Sequence, residues 1–376
     1  MRKKIQIFID PSCKVTYSSY YIEGLYAAFG KTNVSFSARH FKELKSNEES
    51  YSHDHYMAFV VVMPDNSITK VIIDFRDKPT VKESAYKWSD KYAKINFNTD
   101  LTDKKFHDKM ILIPPAFGIK IWNFLETGYY CFSNFIKCKF LPGVPWRNYF
   151  RDYKNQYKRP VLDYFLITSS KSANNEPYVY FNSRLWPHQN CLEGTNLYRK
   201  HFIEICRTVC NFEGGFFSSK DHIQYEEFKD VITSKEDTMS YFEKTKLSTF
   251  VFNTPAVHDC HGWKLGEFLA LGKAIISTPL TNEIPGELVH GRDIHFIENE
   301  KELKLAINLL INDDEYRNLL EAGAKKYYLK YANPRSVIVH ILRDKLGYRE
   351  IKDKSRPINE FFEPQKTPKL RFNSNI

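Results

Sequence analysis

Between Ser248 and Pro279 the chain reads STFVFNTPAVHDCHGWKLGEFLALGKAIISTP, and most groups able to do chemistry crowd into its middle. His258, Asp259, Cys260 and His261 are followed by Gly262, Lys264 and Glu267, with seven residues separating the two acids. Carboxylates suit sugar hydroxyls, and lysine or histidine can donate to phosphate. His258, Cys260 and His261 are also metal-ligand types. Adjacent residues seldom converge on one ion, and no second ligand pair stands at finger spacing, so no metal is expected.

The elements around this group explain how it would be held. Thr249 to Asn253 are β-branched and aromatic and predict a strand. Trp263 to Leu271 suit a helix ended by Gly272, and Ala274 to Thr278 form a second apolar strand. The group therefore occupies a loop that opens a helix N-terminus in an α/β unit, a place where such folds bind anions and phosphates.

Similar alternation runs through the whole chain. In the first half, strands are expected at 5–9, 34–38, 59–63, 71–75, 92–97 and 110–113, and helices at 20–29 and 120–136. The turn Pro64-Asp65-Asn66 joins two of the strands. Residues 141–160 are rich in Pro, aromatic and basic residues and read as a connector. The second half predicts strands at 161–168, 178–182 and 215–217. Its helices are expected at 196–209 with Thr195 as N-cap, 238–246, 301–311, 313–330 with Asn312 and Glu315 as a capping pair, and 336–346. Such βα rhythm predicts a mostly parallel sheet wrapped by helices.

The segment from about Thr249 to Tyr331 resembles the signature of GT-B glycosyltransferases, chiefly the large retaining group of bacterial sugar transferases. In that group an acid, a small glycine-containing loop and a Glu seven residues on are followed by helix, Gly, small residue and apolar strand. Asp259 stands at the first acid, His261-Gly262 at the loop, Glu267 at the second acid, and ALGKAIIST at the tail. Asp replaces the usual first Glu, and the glycine-rich loop that many relatives carry after the first strand is missing.

The resemblance implies an α/β fold of two Rossmann-like domains facing each other across a cleft. Residues 1–150 would bind the acceptor and 151–334 the nucleotide sugar, while 335–376 would form a helix crossing back to the first domain and a basic tail. It implies sugar transfer to a glycan or lipid-linked acceptor, retaining and without a metal, with a nucleotide sugar as co-substrate and no cofactor. Glu267 would then take the ribose hydroxyls and Asp259 the sugar, while Arg184 would bind the diphosphate and Lys94 would face the cleft.

The residues themselves leave alternatives open. Lys264, in the first helical turn, could reach a phosphate or pair with Glu267 at i+3. Arg184 could instead be a surface ion pair, Asp259 an Asx-turn residue, and Lys94 a water-exposed strand-edge lysine. His258 and His261 could donate to phosphate or sugar oxygens, or merely pack. Asn282 and Glu283, in a polar segment after a strand, could contact the donor or form a turn. Asp10, Ser12 and Tyr17 follow the first strand and would face the acceptor. An inverting enzyme would need a base such as Asp10 or His40, and a catalytically inactive scaffold is the remaining GT-B reading.

Composition sets the outer bounds. Length, at 376 residues, allows two domains. The net charge of +10 arises from 55 Lys/Arg against 45 Asp/Glu. These charges are scattered and no nucleic-acid motif appears, so a nucleic-acid partner is not expected. No apolar run approaches the ~20 residues that span a bilayer, and the N-terminus lacks a secretory core. A cytosolic protein is expected, with the basic C-terminal segment able to touch anionic lipid. Seven cysteines without CxxC spacing fit reduced thiols.

Overall fold

The computed structural model describes residues 4–46, 56–138, 146–167 and 176–344, and the chain up to Ile341 forms one compact unit. It is a mixed α/β protein. In chain order the first half contains β1 (Gln6–Ile9), α1 (Val15–Phe29), β2 (Val34–Phe36), α2 (Lys42–Ser46), β3 (Tyr56–Val62), β4 (Ile68–Asp74), α3 (Glu83–Trp88), β5 (Lys91–Lys94) and β6 (Met110–Leu112). Its strands form a six-stranded sheet in the order β2-β1-β3-β4-β5-β6. Only β3 runs against its neighbours β1 and β4, while the other pairings are parallel. Met57 through Val61 of β3 are all buried, as expected of a strand covered on both faces. Asn66, at φ 67°, makes the β3–β4 turn.

Helix α1 begins at Val15, five residues before the sequence expectation, and converts part of the expected 10–20 loop into helix. Its cap comes from far along the chain. The backbone N–H of Thr16 donates to both Asp152 carboxylate oxygens, at 3.2 and 3.3 Å. The chain continues through α4 (Phe124–Cys138), α5 (Trp146–Tyr157) and α6 (Leu162–Leu166). Thus much of the expected connector is an amphipathic helix that buries Tyr149, Asp152, Tyr153 and Gln156 on one face. The strand expected from 161 is the short helix α6, with Thr168 outside the described residues.

The second half follows as β7 (Tyr178–Arg184), α7 (Asn196–Val209), β8 (Asn211–Phe217), α8 (Tyr225–Phe228), α9 (Thr238–Leu247), β9 (Val251–Asn253), α10 (Trp263–Leu271), β10 (Ile275–Ser277), β11 (His295–Phe296), α11 (Glu300–Asn312), α12 (Asp314–Tyr327) and α13 (Pro334–Leu342). Strands β7 and β8 pair in parallel, as do β11-β10-β9. Phe181, Phe202, Phe216, Phe252, Ile276 and Leu303 share one core, with Phe202 and Phe252 stacked at 4.6 Å.

Two expected caps differ. Thr195 lies inside helical backbone and donates its hydroxyl to the Pro255 carbonyl. Asp313, not Asn312, caps α12 by accepting from Tyr316 N–H at 2.8 Å.

The last helix returns to the first half. A methyl placed on Gly24 of α1 would come within 2.3 Å of the Pro334 carbonyl oxygen, so only glycine permits that approach. Tyr20 OH donates to the Ala332 carbonyl at 2.6 Å. Gly266 gives the other close approach, since its added Cβ would sit 2.8 Å from the Pro115 oxygen. All seven cysteines are free. Among the described residues no helix is long and apolar enough to cross a membrane. The basic tail from residue 345 lies outside the described residues.

Candidate functional site

A cavity of ≈ 330 Å³ opens where β7 and β9 end and α10 begins. Strand ends supply Phe181, Asn182, Ser183 and Arg184 from β7 and Phe252 and Asn253 from β9. Gly262, the N-cap of α10, and Trp263 and Lys264 of its first turn complete one wall. No side chain caps that helix, so its first-turn N–H groups and positive dipole end face the same space. Trp186, Phe217 and Tyr241 add aromatic surface.

Charge on the wall is predominantly positive. Arg159, Arg184, Arg199, Lys235 and Lys264 contribute cations, and Glu236 and Asp237 the acids. Both acids are engaged elsewhere. Asp237 caps α9 through Met239 and Ser240 N–H, and Glu236 accepts from Lys244 and the Ser240 hydroxyl, each at 2.9 Å.

Arg199 is buried, and it donates to the hydroxyls of Thr254 at 2.9 Å and Ser183 at 3.1 Å. Burial lowers its pKa to about 10. Lys264 gives its ammonium to the Asn182 carbonyl at 2.6 Å and sits 4.7 Å over the Phe181 ring. Burial, then the Arg199 charge, push its pKa down to about 7 against the opposing pull of Glu267. Among the described residues no carboxylate bonds either cation. Desolvated cations of this kind favour an anionic ligand strongly. Arg184 is exposed, with its guanidinium 5.1 Å over Trp186.

The loop before α10 is strained and tied down. His258 and Asp259 both take positive φ, 57° and 56°, which costs on the order of 1–3 kcal/mol each outside glycine. Asn190 holds the loop from the β7–α7 side, donating to the Ala256 carbonyl at 2.9 Å and Asp259 Oδ1 at 2.8 Å. Asn282 holds it from the other side, donating to the Asp259 carbonyl at 2.9 Å. Asn96, just past β5, accepts from the His261 backbone N–H at 2.8 Å. His258 packs its ring 4.1 Å from His188. His261 is buried, and burial lowers its pKa to about 4. Its Nε2 has no hydrogen-bond partner among the described residues.

Glu267 and Asp259 are not among the cavity's lining residues. Glu267 is buried one layer behind, and both of its oxygens bond lining residues. Arg159 donates to Oε1 at 2.8 Å and Tyr241 OH to Oε2 at 3.1 Å. Arg159 also donates to the Gly118 carbonyl at 2.9 Å and lies over Phe242 and Trp263. It therefore joins the two halves. The sequence carries no motif that marks it.

Glu283 makes a second join, accepting from Thr99 N–H at 2.9 Å and from the Thr99 hydroxyl, while its own N–H donates to Phe97. Together with Asn282 it also lines a second cavity of ≈ 620 Å³.

The first-half residues are placed differently from expectation. Lys94 has no exposure at all, so neither a cleft-facing nor a water-exposed lysine describes it. Its ammonium pairs with Asp74 at 3.1 Å, because β5 is enclosed between β4 and β6 and a buried lysine needs a counter-charge. Asp74 also takes Arg76 and Tyr92 OH, and despite burial the Lys94 and Arg76 charges hold its pKa down to about 2.

Asp10 and Ser12 are buried, not open to the cleft. Asp10 Oδ1 accepts from Ser12 N–H and Oγ, at 2.9 and 2.7 Å, and Oδ2 pairs with Lys45 at 3.0 Å. With both oxygens engaged it is poorly placed as a base. His40 packs on Phe8. Tyr17, on α1, meets the cavity wall through Trp263 at 4.7 Å.

Arg199 carried a signal that sequence reading passed over. It shares a helical stripe with buried Asn196, Ile203 and Cys206, and an arginine there must find an internal role. Among the described residues no group of three or more His, Cys, Asp or Glu is arranged to hold a metal ion.

No protein-family model matches the chain, and no curated protein matches it. Solved structures give distant likenesses. A variant of TarM from S. aureus, in complex with Fondaparinux, alpha-GlcNAc-glycerol and UDP, aligns with 76% of this chain at 10% identity and a TM-score of 0.38. The aligned part is 61% of that protein's length. HepE from Anabaena, with UDP and glucose, aligns over 72% of this chain and 71% of its own at 11% identity and TM-score 0.38. A 2-epimerase of UDP-N-acetylglucosamine from Listeria monocytogenes, so described in its structure, aligns over 76% and 75%, with the same identity and TM-score. Likeness at this level fixes neither family nor activity.

Proposed function

We propose that this chain is a glycosyltransferase of the GT-B type, taking a nucleotide sugar and passing the sugar to a glycan or lipid-linked acceptor. The observation that carries the reading is the pair of desolvated cations, Arg199 and Lys264, on an aromatic-walled cavity at the uncapped start of α10. A diphosphate leaving group gathers negative charge as its bond to the sugar breaks, and preorganised donors in a dry site stabilise it most. Arg199, Lys264, Arg184 and the α10 N–H groups would supply those donors without a metal. Aromatic faces of Trp186 and Trp263 suit a base or a sugar ring. The spacing of Asp259 and Glu267 favours retention of anomeric configuration, with Asp259 at the sugar. Glu267 acts from behind the wall, fixing Arg159 and Tyr241 where they line the cavity.

The test is a thermal-shift screen of nucleoside diphosphates and nucleotide sugars, followed by donor turnover. A ligand at 100-fold above its dissociation constant adds roughly 2.7 kcal/mol to stability. Arg199→Met is expected to lose most of that increment. Binding without turnover of any donor would leave a scaffold, and no nucleotide response at all would end the proposal.

A further inference from the structure

We propose that helices α4 and α5 form a docking surface for an anionic lipid bilayer. This inference is independent of the reading of the cavity. On α4, Thr127, Cys131, Asn134 and Cys138 face inward and are buried. The opposite stripe is Leu125, Tyr129, Phe132 and Ile136, and with Phe124 these side chains are 64–78% exposed. Single exposed apolar residues are ordinary, but five along one helix are not. The surface around them is open, since a methyl added at Gly128 would meet nothing within 4 Å.

Helix α5 lies alongside. It buries Tyr149, Asp152, Tyr153 and Gln156 and turns Arg147, Arg151 and Lys154 outward, with Lys158 just past its end, all four exposed. The seam between the helices is aromatic. Phe150 meets Phe132 at 5.9 Å and Phe135 at 5.0 Å, and Tyr157 meets Phe124 at 6.1 Å. The two outward stripes therefore adjoin, one apolar and aromatic, the other cationic. The acids of the two helices are withdrawn from this face. Asp152 is buried on α1, and Glu126 pairs with Lys31 and the Asn123 backbone.

Charge complementarity selects the occupant. An apolar stripe beside a cationic one is the design of helices that lie in a bilayer interface, with rings and aliphatic chains below the headgroups and basic ends among them. A second copy of the chain would bring the same cationic stripe. Residues 345–376 carry eight Lys/Arg against four Asp/Glu, so they too are repelled. Each basic residue at an anionic surface is worth about 1 kcal/mol, or about fivefold in partitioning.

The experiment is sedimentation of the full-length chain with vesicles of phosphatidylcholine, with and without phosphatidylserine as the anionic lipid. Binding is expected to the anionic vesicles and to fall about 25-fold in Arg151→Ala/Lys154→Ala. It should fall at least tenfold in Phe132→Ser/Ile136→Ser and in Gly128→Glu. The last variant replaces a mid-helix glycine with a better helix former, so an unchanged or raised thermal midpoint separates lost docking from lost folding.

No vesicle binding by the full-length chain overturns the proposal. So does binding that the two apolar-face variants leave intact, which would mark a purely electrostatic polyanion site. A concentration-dependent dimer abolished by Phe132→Ser/Ile136→Ser, without vesicle binding, would make the occupant a second copy.

Discussion

Lys264 offers the sharpest test of the cavity. Burial and Arg199 hold its ammonium at about 7, against about 10.4 for a free lysine. At pH 8 roughly a tenth of the unliganded protein therefore carries the charge, and at pH 7 about half. A diphosphate seated beside it restores the ordinary affinity for the proton, so ligand binding must take up about 0.9 proton at pH 8 and about 0.5 at pH 7. The dissociation constant should then rise about eightfold between pH 7.5 and 8.5, about 1.2 kcal/mol. A nucleotide sugar is the suitable ligand, because both of its phosphates are esterified and do not titrate in this range. Calorimetry in two buffers of different ionisation enthalpy reads the uptake directly. Lys264→Met should bind more weakly at pH 7, with no uptake and a flat pH profile. Equal proton uptake in wild type and variant would refute the reasoning, because the titrating group would lie elsewhere.

Other substitutions separate binding from stability. Arg199→Met should leave unliganded stability within about 1 kcal/mol, since an apolar replacement of a buried ion is near neutral. The same change should weaken nucleotide-sugar binding by about 1.5–3 kcal/mol, read by urea unfolding and calorimetry. Glu267→Gln breaks the buried contact with Arg159 and should lower unfolding free energy by about 3 kcal/mol. Asp74, held at about 2, contributes stability that is present above the unfolded pKa near 3.9 and is lost as pH falls through about 2. Acid titration of unfolding should therefore lose about 1.8 kcal/mol between pH 4 and pH 2 from this group, and Asp74→Asn should remove that slope. Gly266→Ala should destabilise by about 1–3 kcal/mol despite alanine's higher helix propensity, because its methyl meets the Pro115 carbonyl.

The sequence exposed those parts of the molecule whose causes are local. Strand, loop and helix around residues 249–278 were readable because β-branched runs, a glycine stop and a Pro-marked turn sit next to one another. The return of the last helix was also expected. What stayed hidden was set at a distance. The start of α1 depends on a cap from Asp152, which no window around Val15 contains. Helix α5 reads as a connector because its buried face carries polar and aromatic residues instead of aliphatic ones. The antiparallel run of β3 follows from its tight hairpin with β4, while the βα rhythm of the chain points to parallel pairing. In the site, Arg159 and Tyr241 reach Glu267 only through tertiary packing. Lys94 is neither cleft-facing nor water-exposed, because its partner, Asp74, lies on the neighbouring strand and no local window shows it.

The loop that carries the left-handed turn at His258 and Asp259 is fastened to three separate chain segments, one of them just past β5 of the six-stranded sheet. Asn96 is that last fastening, so the two halves cannot draw apart without freeing the amide of His261. Any separation of the halves would thus pull first on the segment between the turn and the start of α10.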